Sequence, residues 1–181
     1  MWSVEAMEAR SVSGLLLGSF AEVWERQRAR LDGLTQEEYL WEPVDGCWTV
    51  RQIDGAWRVD ERPREDPVPA PVTTIAWRLW HIASDCLCGY LRGGLGEWPL
   101  DVTGWEWYGD VDSAIAALDR SWDAFHGGLG RLGDDGMWSP LGDEWGPYGP
   151  EPWAALVVHA LDEVAHHGAE IGLLRDLYAH R

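Results

Sequence analysis

The sequence predicts an all-α protein folded as a four-helix bundle. Four long segments carry apolar residues at helical spacing, loops rich in Gly, Pro and Trp separate them, and no stretch forms a convincing strand. The chain has 181 residues, which suits one domain over residues 1–181 with a substantial core. Long connections after the first and third helices favour a single bundle.

The first predicted helix spans residues 11–33, because apolar residues recur there at helical spacing while the opposite side is charged. A capping box begins at Thr35, with Glu38 three residues later, and predicts a short helix that continues to Leu40. The later segment 60–71 is charged and contains four prolines. We therefore expect an exposed connection there.

The second predicted helix spans residues 73–91 and ends before the pair Gly93–Gly94. Its apolar stripe consists of Ile75, Leu79, Ile82, Cys86 and Tyr90. At 100° per residue His81 lies off this stripe. The residues that share its arc are Trp77, Asp85 and Cys88.

The third and fourth predicted helices span residues 110–132 and about 150–178. Asp110 or Asp112 can cap the third helix, and proline suits the first turn of the fourth. Residues 133–150 are rich in Gly and Trp and are expected to form a loop. The fourth helix has apolar residues nearly all round, which predicts that it is buried.

The charge of the chain limits the partners that it can have. The formal net charge is −17, and all 14 basic residues are arginine. Binding to nucleic acid needs a basic surface, so we expect no nucleic-acid partner. No stretch approaches the ~20 apolar residues of a membrane span, so we expect no membrane partner. Abundant Ala, Gly, Asp and Arg without Lys is typical of a GC-rich bacterial genome.

Three cysteines, Cys47, Cys86 and Cys88, are an odd number and form no CxxC pair. This pattern is untypical of a disulfide scaffold and indicates a reducing compartment. The first ten residues lack the basic start and apolar run of a signal peptide, so we expect a cytoplasmic protein. In a helix the thiols of Cys86 and Cys88 point in different directions, and we interpret both as small packing residues.

The fourth helix carries the most informative pattern of polar residues. Its members within about 60° of one another are His159, Glu163, His166 and Glu170. His167 lies beside them. Buried polar side chains need partners, and a bound divalent metal ion would be one. Glu163 and His167 are spaced i and i+4, so both could bind one ion.

A third ligand must come from another helix. His81 is the only other histidine inside a strongly predicted apolar helix, and we therefore add it to the ligand set. Either His166 or His159 could replace one of the pair on the last helix, and this alternative stays open. Glu170 could hold a ligand imidazole in orientation. Mixed imidazole and carboxylate ligands suit zinc or nickel.

Fourteen tryptophans are far more than a chain of this length ordinarily contains. Those expected in loops are Trp48, Trp57, Trp98, Trp105, Trp107, Trp138 and Trp145. Loop tryptophans fold back over a core or line the mouth of a pocket. Together they predict a large, partly apolar cleft.

These features resemble the DinB/YfiT-like superfamily, including its mycothiol-dependent maleylpyruvate isomerase branch and related actinobacterial proteins. The motifs that carry the resemblance are Trp80-His81-Ile82 and Glu163-Val-Ala-His-His167-Gly-Ala-Glu170, with weaker likeness at Leu34–Glu38 and Trp48–Arg51. The resemblance implies an up-down-down-up bundle with a metal at one end of its core. The ligands that it implies are His81, Glu163 and His167. The density of loop tryptophans departs from the isomerase branch, so the substrate stays open.

The resemblance also implies a metal-dependent enzyme, either an S-transferase or an isomerase, that uses mycothiol on a small electrophilic substrate. An ion with three protein ligands keeps open positions, where a bound thiol loses its proton and becomes a nucleophile. Arg78 and Arg175 are candidates to hold carboxylates of the thiol or the substrate. The residues expected next to the ligands or in the pocket wall are Trp77, Asp85, His159, His166 and Glu170.

Two other functions stay open. The first is a metal-dependent hydrolase with Glu170 or Asp85 as the base. The second is a non-enzymatic module for small-molecule binding or stress response, in which the metal is structural and a fourth ligand such as His159 closes the site. A homodimer is also left open.

Overall fold

The computed structural model describes residues 11–60 and 67–181, and most of them are helical. The elements, in chain order, are α1 (Val12–Ala29), α2 (Gln36–Tyr39), β1 (Val50–Ile53), β2 (Ala56–Val59), α3 (Ile75–Trp80), a π-helical segment (His81–Cys88), α4 (Gly89–Leu95), α5 (Val111–Gly130), α6 (Gly133–Trp138), a 3-10 segment (Asp143–Tyr148) and α7 (Trp153–Ala179). The mostly helical fold class is therefore confirmed. The expectation about a signal peptide concerns residues outside the described ranges.

The predicted helix starts are confirmed by their caps. Thr35 accepts a hydrogen bond from the backbone N–H of Glu38, and Asp110 accepts one from that of Ser113. Each bond satisfies an N–H group that the first turn of a helix leaves without a partner. α1 ends at Ala29, earlier than predicted.

The second long helix differs from the prediction in its pitch. α3, the π-helical segment and α4 follow one another without a break over residues 75–95. Residues five apart are about 140° apart in an α-helix, but a π-helix bonds residue i to i+5 and brings that pair onto adjacent turns. Cys86 therefore leaves the predicted apolar stripe and meets His81. Cys88 leaves the predicted arc of His81, and its thiol contacts Ser121 instead, with Sγ and Oγ 3.2 Å apart.

A β-hairpin corrects the expectation that no strand forms. β1 and β2 pair antiparallel, with Val50 opposite Val59. The turn holds Asp54 at φ 51° and Gly55 at φ 83°, which is the left-handed conformation of a two-residue hairpin turn. The Asp-Gly pair was the signal for this hairpin. Its four-residue strands are too short for an alternating pattern to stand out.

The core lies among α1, the π-helical segment, α5 and α7, which pack against one another. Phe20 of α1 is fully buried and packs edge-on against Trp122 and Phe125 of α5, at centroid distances of 4.9 and 6.1 Å. Residues 133–150, expected to be a loop, contain α6 and the 3-10 segment. Within the described ranges, no helix combines the length and apolar character needed to cross a membrane.

α7 is less buried than its sequence predicts. Val157, Val164 and Ile171 are buried, whereas Val158, Leu173 and Leu177 are about half exposed. One side of α7 therefore faces solvent. His159 and His166 stand on the exposed part of the helix, with 55% and 61% of their side chains accessible.

The connection over residues 60–71 is described only in part, because residues 61–66 lie outside the described ranges. In the described part, Val68, Pro69 and Ala70 are exposed, as expected.

Close packing at Gly94 gives a test of the fold. A Cβ at Gly94 would lie 2.0 Å from the ring of buried Trp153, whereas a Cβ at Gly127 in α5 would meet nothing within 4 Å. We expect Gly94→Ala to lower the free energy of unfolding by about 1–3 kcal/mol through overpacking. Gly127→Ala, the matched control, should raise it by about 0.4–1 kcal/mol. Urea unfolding monitored by circular dichroism measures both, and equal effects would contradict the packing described.

Candidate metal centre

A single carboxylate oxygen joins two histidines from different helices. Glu163 Oε2 of α7 lies 3.2 Å from His81 Nε2 of the π-helical segment. The same oxygen lies 3.0 Å from His167 Nε2, one turn further along α7. The structure therefore brings together the three residues predicted as ligands.

The other nitrogen of each imidazole is held by a second carboxylate. His81 Nδ1 lies 3.0 Å from Asp85 Oδ2, and His167 Nδ1 lies 2.7 Å from Glu170 Oε2. Such contacts fix the ring orientation and leave Nε2 facing the centre of the cluster. The arrangement is that of two carboxylate–histidine pairs pointing at one place.

Two further side chains hold these pairs in position. Trp77 stacks on the His81 ring, with centroids 5.3 Å apart and planes 17° from parallel, and its indole N–H donates to the Asp60 carbonyl at 3.0 Å. Arg78 Nε forms an ion pair with Glu170 Oε2 at 2.7 Å. Arg78 is mostly buried, so its charge is positioned to keep Glu170 ionised.

An open cleft of about 360 Å³ gives access to the cluster. His81, Glu163 and His167 form part of its wall, next to His166 and Arg78. Trp48 and Trp77 supply its aromatic side. A small molecule in this cleft would therefore contact the cluster directly.

Cys86 also belongs to the cluster, although its sequence position predicted a packing residue. Its Sγ lies 3.6 Å from His81 Nε2 and 3.6 Å from Glu163 Oε2. Residues spaced five apart, such as His81 and Cys86, are expected to meet only in a π-helix. The sequence does not predict a π-helix here.

Residues 19–171 match the model of the DinB superfamily. The chain belongs to the DinB superfamily. No curated protein and no solved structure gives a significant match.

Membership of the DinB superfamily agrees with the chemistry of the cluster, because this superfamily includes metal-binding enzymes. Within the described ranges, two groups of side chains are close enough to hold a metal ion. One consists of His81, Cys86 and Glu163, and the other of His166, His167 and Glu170, so the predicted ligands His81 and His167 fall in different groups, joined by their contacts with Glu163.

The remaining predicted residues of this DinB superfamily protein lie at the margin of the cluster or away from it. His166 Nε2 is 3.4 Å from Glu170 Oε1, and His159 Nε2 is 3.7 Å from the second oxygen of Glu163. Arg175 is engaged elsewhere, since its Nε donates to the buried Glu38 carboxylate at 2.7 Å and its Nη1 donates to the Asp32 carbonyl. The structure does not bring Arg175 to the cluster.

A second cleft, of about 400 Å³, lies beyond His159. Tyr90, Trp145 and Tyr148 form its aromatic wall. Its link to the cluster runs through His159, whose Nε2 lies 3.7 Å from Glu163 Oε1. The loop tryptophans are therefore divided, with Trp48 in the first cleft and Trp145 in the second.

The other tryptophans that were expected in loops have several roles. Trp57 lies in β2, and its carbonyl accepts from the backbone N–H of buried Trp107 at 3.1 Å. Trp105 stacks on Trp80 with ring centroids 5.1 Å apart. Trp98 donates its indole N–H to the Val102 carbonyl, and Trp138 is exposed.

Without a metal ion, the carboxylates around His81 favour its protonated form. Burial lowers the pKa of His81, but hydrogen bonds to Asp85, Cys86 and Glu163 outweigh this effect and raise the pKa from 6.5 to about 11. The hydrogen bond to His81 in turn lowers the pKa of Glu163 from 4.5 to about 2, against the effect of burial.

The directions of these pKa shifts determine how the stability of the metal-free protein changes with pH. The stabilisation from His81 is fully present below pH 6.5 and is lost as the pH rises through about 11. The stabilisation from Glu163 is present above pH 4.5 and is lost as the pH falls through about 2. We expect metal-free protein to hold both contributions between pH 4.5 and 6.5.

An NMR titration of chelator-treated protein tests this balance. The pKa of His81 should lie well above its ordinary 6.5, and Glu163→Gln should lower it because a charged acceptor is lost. Glu25→Gln on the exposed side of α1 makes the same change in charge and should leave His81 unaffected. A His81 that titrates near 6.5 in wild-type protein would contradict the described contacts.

Proposed function

We propose that the chain is a metal-dependent enzyme, either an S-transferase or an isomerase, that joins a small thiol to a small electrophilic substrate. The observation that carries the proposal is the set of His81, Glu163 and His167 donors in the wall of an open cleft. Mycothiol is the thiol that we propose, on the basis of the superfamily branch that the sequence resembles.

The donor set fits a divalent ion. Each of two imidazole Nε2 atoms lies within 3.2 Å of one Glu163 oxygen, and both imidazoles have their Nδ1 atoms next to carboxylates. Nitrogen and oxygen donors of this kind suit zinc or nickel. We propose one ion per chain, held by His81, Glu163 and His167.

A divalent ion bound there would favour the thiolate form of a thiol near neutral pH. The protein's own residues supply the rest. Arg78 lies in the cleft wall with its charge partly balanced by Glu170 and can hold a substrate carboxylate. His166 is exposed in the same wall and can accept the thiol proton.

The proposed chemistry balances without a further reactant. The thiol gives its S–H proton to His166, and the resulting thiolate sulfur forms a bond with the electrophilic carbon. In a transfer, the leaving group departs and takes up that proton. In an isomerisation, the same S–C bond breaks after rearrangement, and the thiol and its proton are recovered.

The contacts of Asp85 and Glu170 argue against a hydrolase that uses either carboxylate as its base. A hydrolase needs a base for the attacking water, and the two candidates were Asp85 and Glu170. Asp85 is occupied by His81, and Glu170 is occupied by Arg78 and His167. A thiol needs less help because it is more acidic than water. A structural metal in a binding module is the alternative that inactivity with every thiol would favour.

The finer architecture is part of the same proposal. We propose that α1, the helical stretch over residues 75–95, α5 and α7 form an up-down-down-up bundle in a single domain. The packing of these elements on one another supports it. The site then lies between the second and last long helices, on the side where the cleft opens.

Turnover with and without thiol tests the proposed function. Zinc-loaded or nickel-loaded protein should convert one or more of a panel of small electrophiles when mycothiol is present and none in thiol-free buffer. We expect His167→Ala to lower both metal affinity and turnover by at least about 100-fold, since it removes a donor and its partner.

The matched control is His180→Ala, since the side chain of His180 is exposed and forms a hydrogen bond with the Asp176 carbonyl near the end of α7, outside the cluster. Metal content and turnover should be unchanged in this variant. Full metal content in both His81→Ala and His167→Ala proteins would refute the ligand assignment. Metal binding without any thiol adduct would refute the reaction and leave the metal site standing.

A further inference from the structure

We propose that Cys86 is a fourth protein ligand of the metal, bound through its sulfur on the buried side of the cluster. This inference rests on the metal site proposed above and adds a donor to it. The three atoms that carry it are His81 Nε2, Glu163 Oε2 and Cys86 Sγ.

These atoms form a triangle of the size that a metal requires. Its edges are 3.2 Å between the His81 and Glu163 atoms and 3.6 Å from Cys86 Sγ to each of them. Bonds of about 2.0–2.3 Å at tetrahedral angles place nitrogen, oxygen and sulfur ligands of one zinc ion about 3.3–3.6 Å apart. The protein thus holds these donors at nearly the separation that they have around an ion.

Cys86 differs from the other donors in the side from which it reaches the cluster. Cys86 is 3% exposed, whereas His81, Glu163 and His167 form part of the cleft wall. The sulfur therefore meets the cluster from the protein interior. With Cys86 the site would have four protein ligands, so a thiol from the cleft would have to enter as a fifth ligand.

The π-helical segment provides a structural reason for this position. An α-helix through residues 81–88 would turn the Cys86 side chain about 140° away from His81. The π-helical pitch aligns the two, and local π-helical turns occur frequently at functional sites.

A sulfur ligand would also change which metal the site prefers. Thiolate is a softer donor than imidazole or carboxylate and favours zinc over hard cations such as magnesium or manganese. A cluster with two nitrogens, one oxygen and one sulfur should therefore discriminate against those cations more strongly than the predicted set without sulfur.

Cobalt substitution tests this proposal in the full-length protein. Freshly reduced wild-type chain in thiol-free buffer receives cobalt(II), and its absorption spectrum is recorded. We expect a near-ultraviolet thiolate-to-cobalt charge-transfer band with no thiol added. Cys86→Ser should lack this band and bind cobalt about 10- to 100-fold more weakly, a loss at least as large as that for partners outside the coordination sphere.

Cys88→Ser is the matched control. It makes the same change two residues away on the same helix, at a buried thiol that contacts Ser121 rather than the cluster. We expect it to keep the band and the cobalt affinity of the wild type. Circular dichroism of both variants shows whether the helical fold is retained.

A measurement on the wild type alone covers the case in which Cys86→Ser does not fold. X-ray absorption of the zinc-loaded chain should show one sulfur at about 2.3 Å beside nitrogen or oxygen at about 2.0–2.2 Å. Bound cobalt without the band, a band that persists in Cys86→Ser, or zinc surrounded only by nitrogen and oxygen overturns Cys86 as a ligand and leaves the metal site in place. A wild type that binds neither metal overturns both proposals.

Discussion

The candidate site depends on one shared oxygen. Glu163 Oε2 contacts the Nε2 atoms of His81 and His167, which come from the second and last long helices. Bringing a carboxylate and two imidazoles out of water is costly unless their charges and hydrogen bonds are satisfied. A proton on His81 lets it donate to both Asp85 and Glu163 in metal-free protein. A divalent ion held by these donors would offset the carboxylate charge directly.

This constraint explains why the supporting residues are polar as well. Asp85 and Glu170 hold the outer nitrogens of the two histidines, and Arg78 balances Glu170. Each of these contacts limits the orientations that the imidazole ring of His81 or His167 can adopt. The site is therefore fixed by a chain of ion pairs from the cluster to Arg78, and it remains open on the cleft side.

The sequence predicts those features of the site that follow from ordinary helical spacing. Glu163 and His167 are four residues apart on an α-helix, and α7 keeps that geometry. His81 could be selected because it lies inside a strongly apolar helix. The capping box at Thr35 likewise depends on local contacts that a sequence displays directly.

The features that the sequence does not predict depend on how distant parts of the chain pack together. Cys86 reaches His81 only because residues 81–88 have a π-helical pitch, and tertiary packing can impose this pitch without a sequence signal. Arg175 was predicted to lie in the cleft, but its guanidinium donates to the buried carboxylate of Glu38. The exposed positions of α7, such as Leu173, follow from which faces its neighbours cover, and a single helix does not reveal this.

Anomalous diffraction from crystals of the zinc-loaded chain is the most direct test of the central claim. Data on either side of the zinc absorption edge locate the ion without assumptions about its ligands. We predict one peak per chain, about 2.0–2.2 Å from the Nε2 atoms of His81 and His167 and from a carboxylate oxygen of Glu163. A peak at another group of side chains, or no peak in crystals that contain zinc, would contradict the assignment of this cluster as the metal centre.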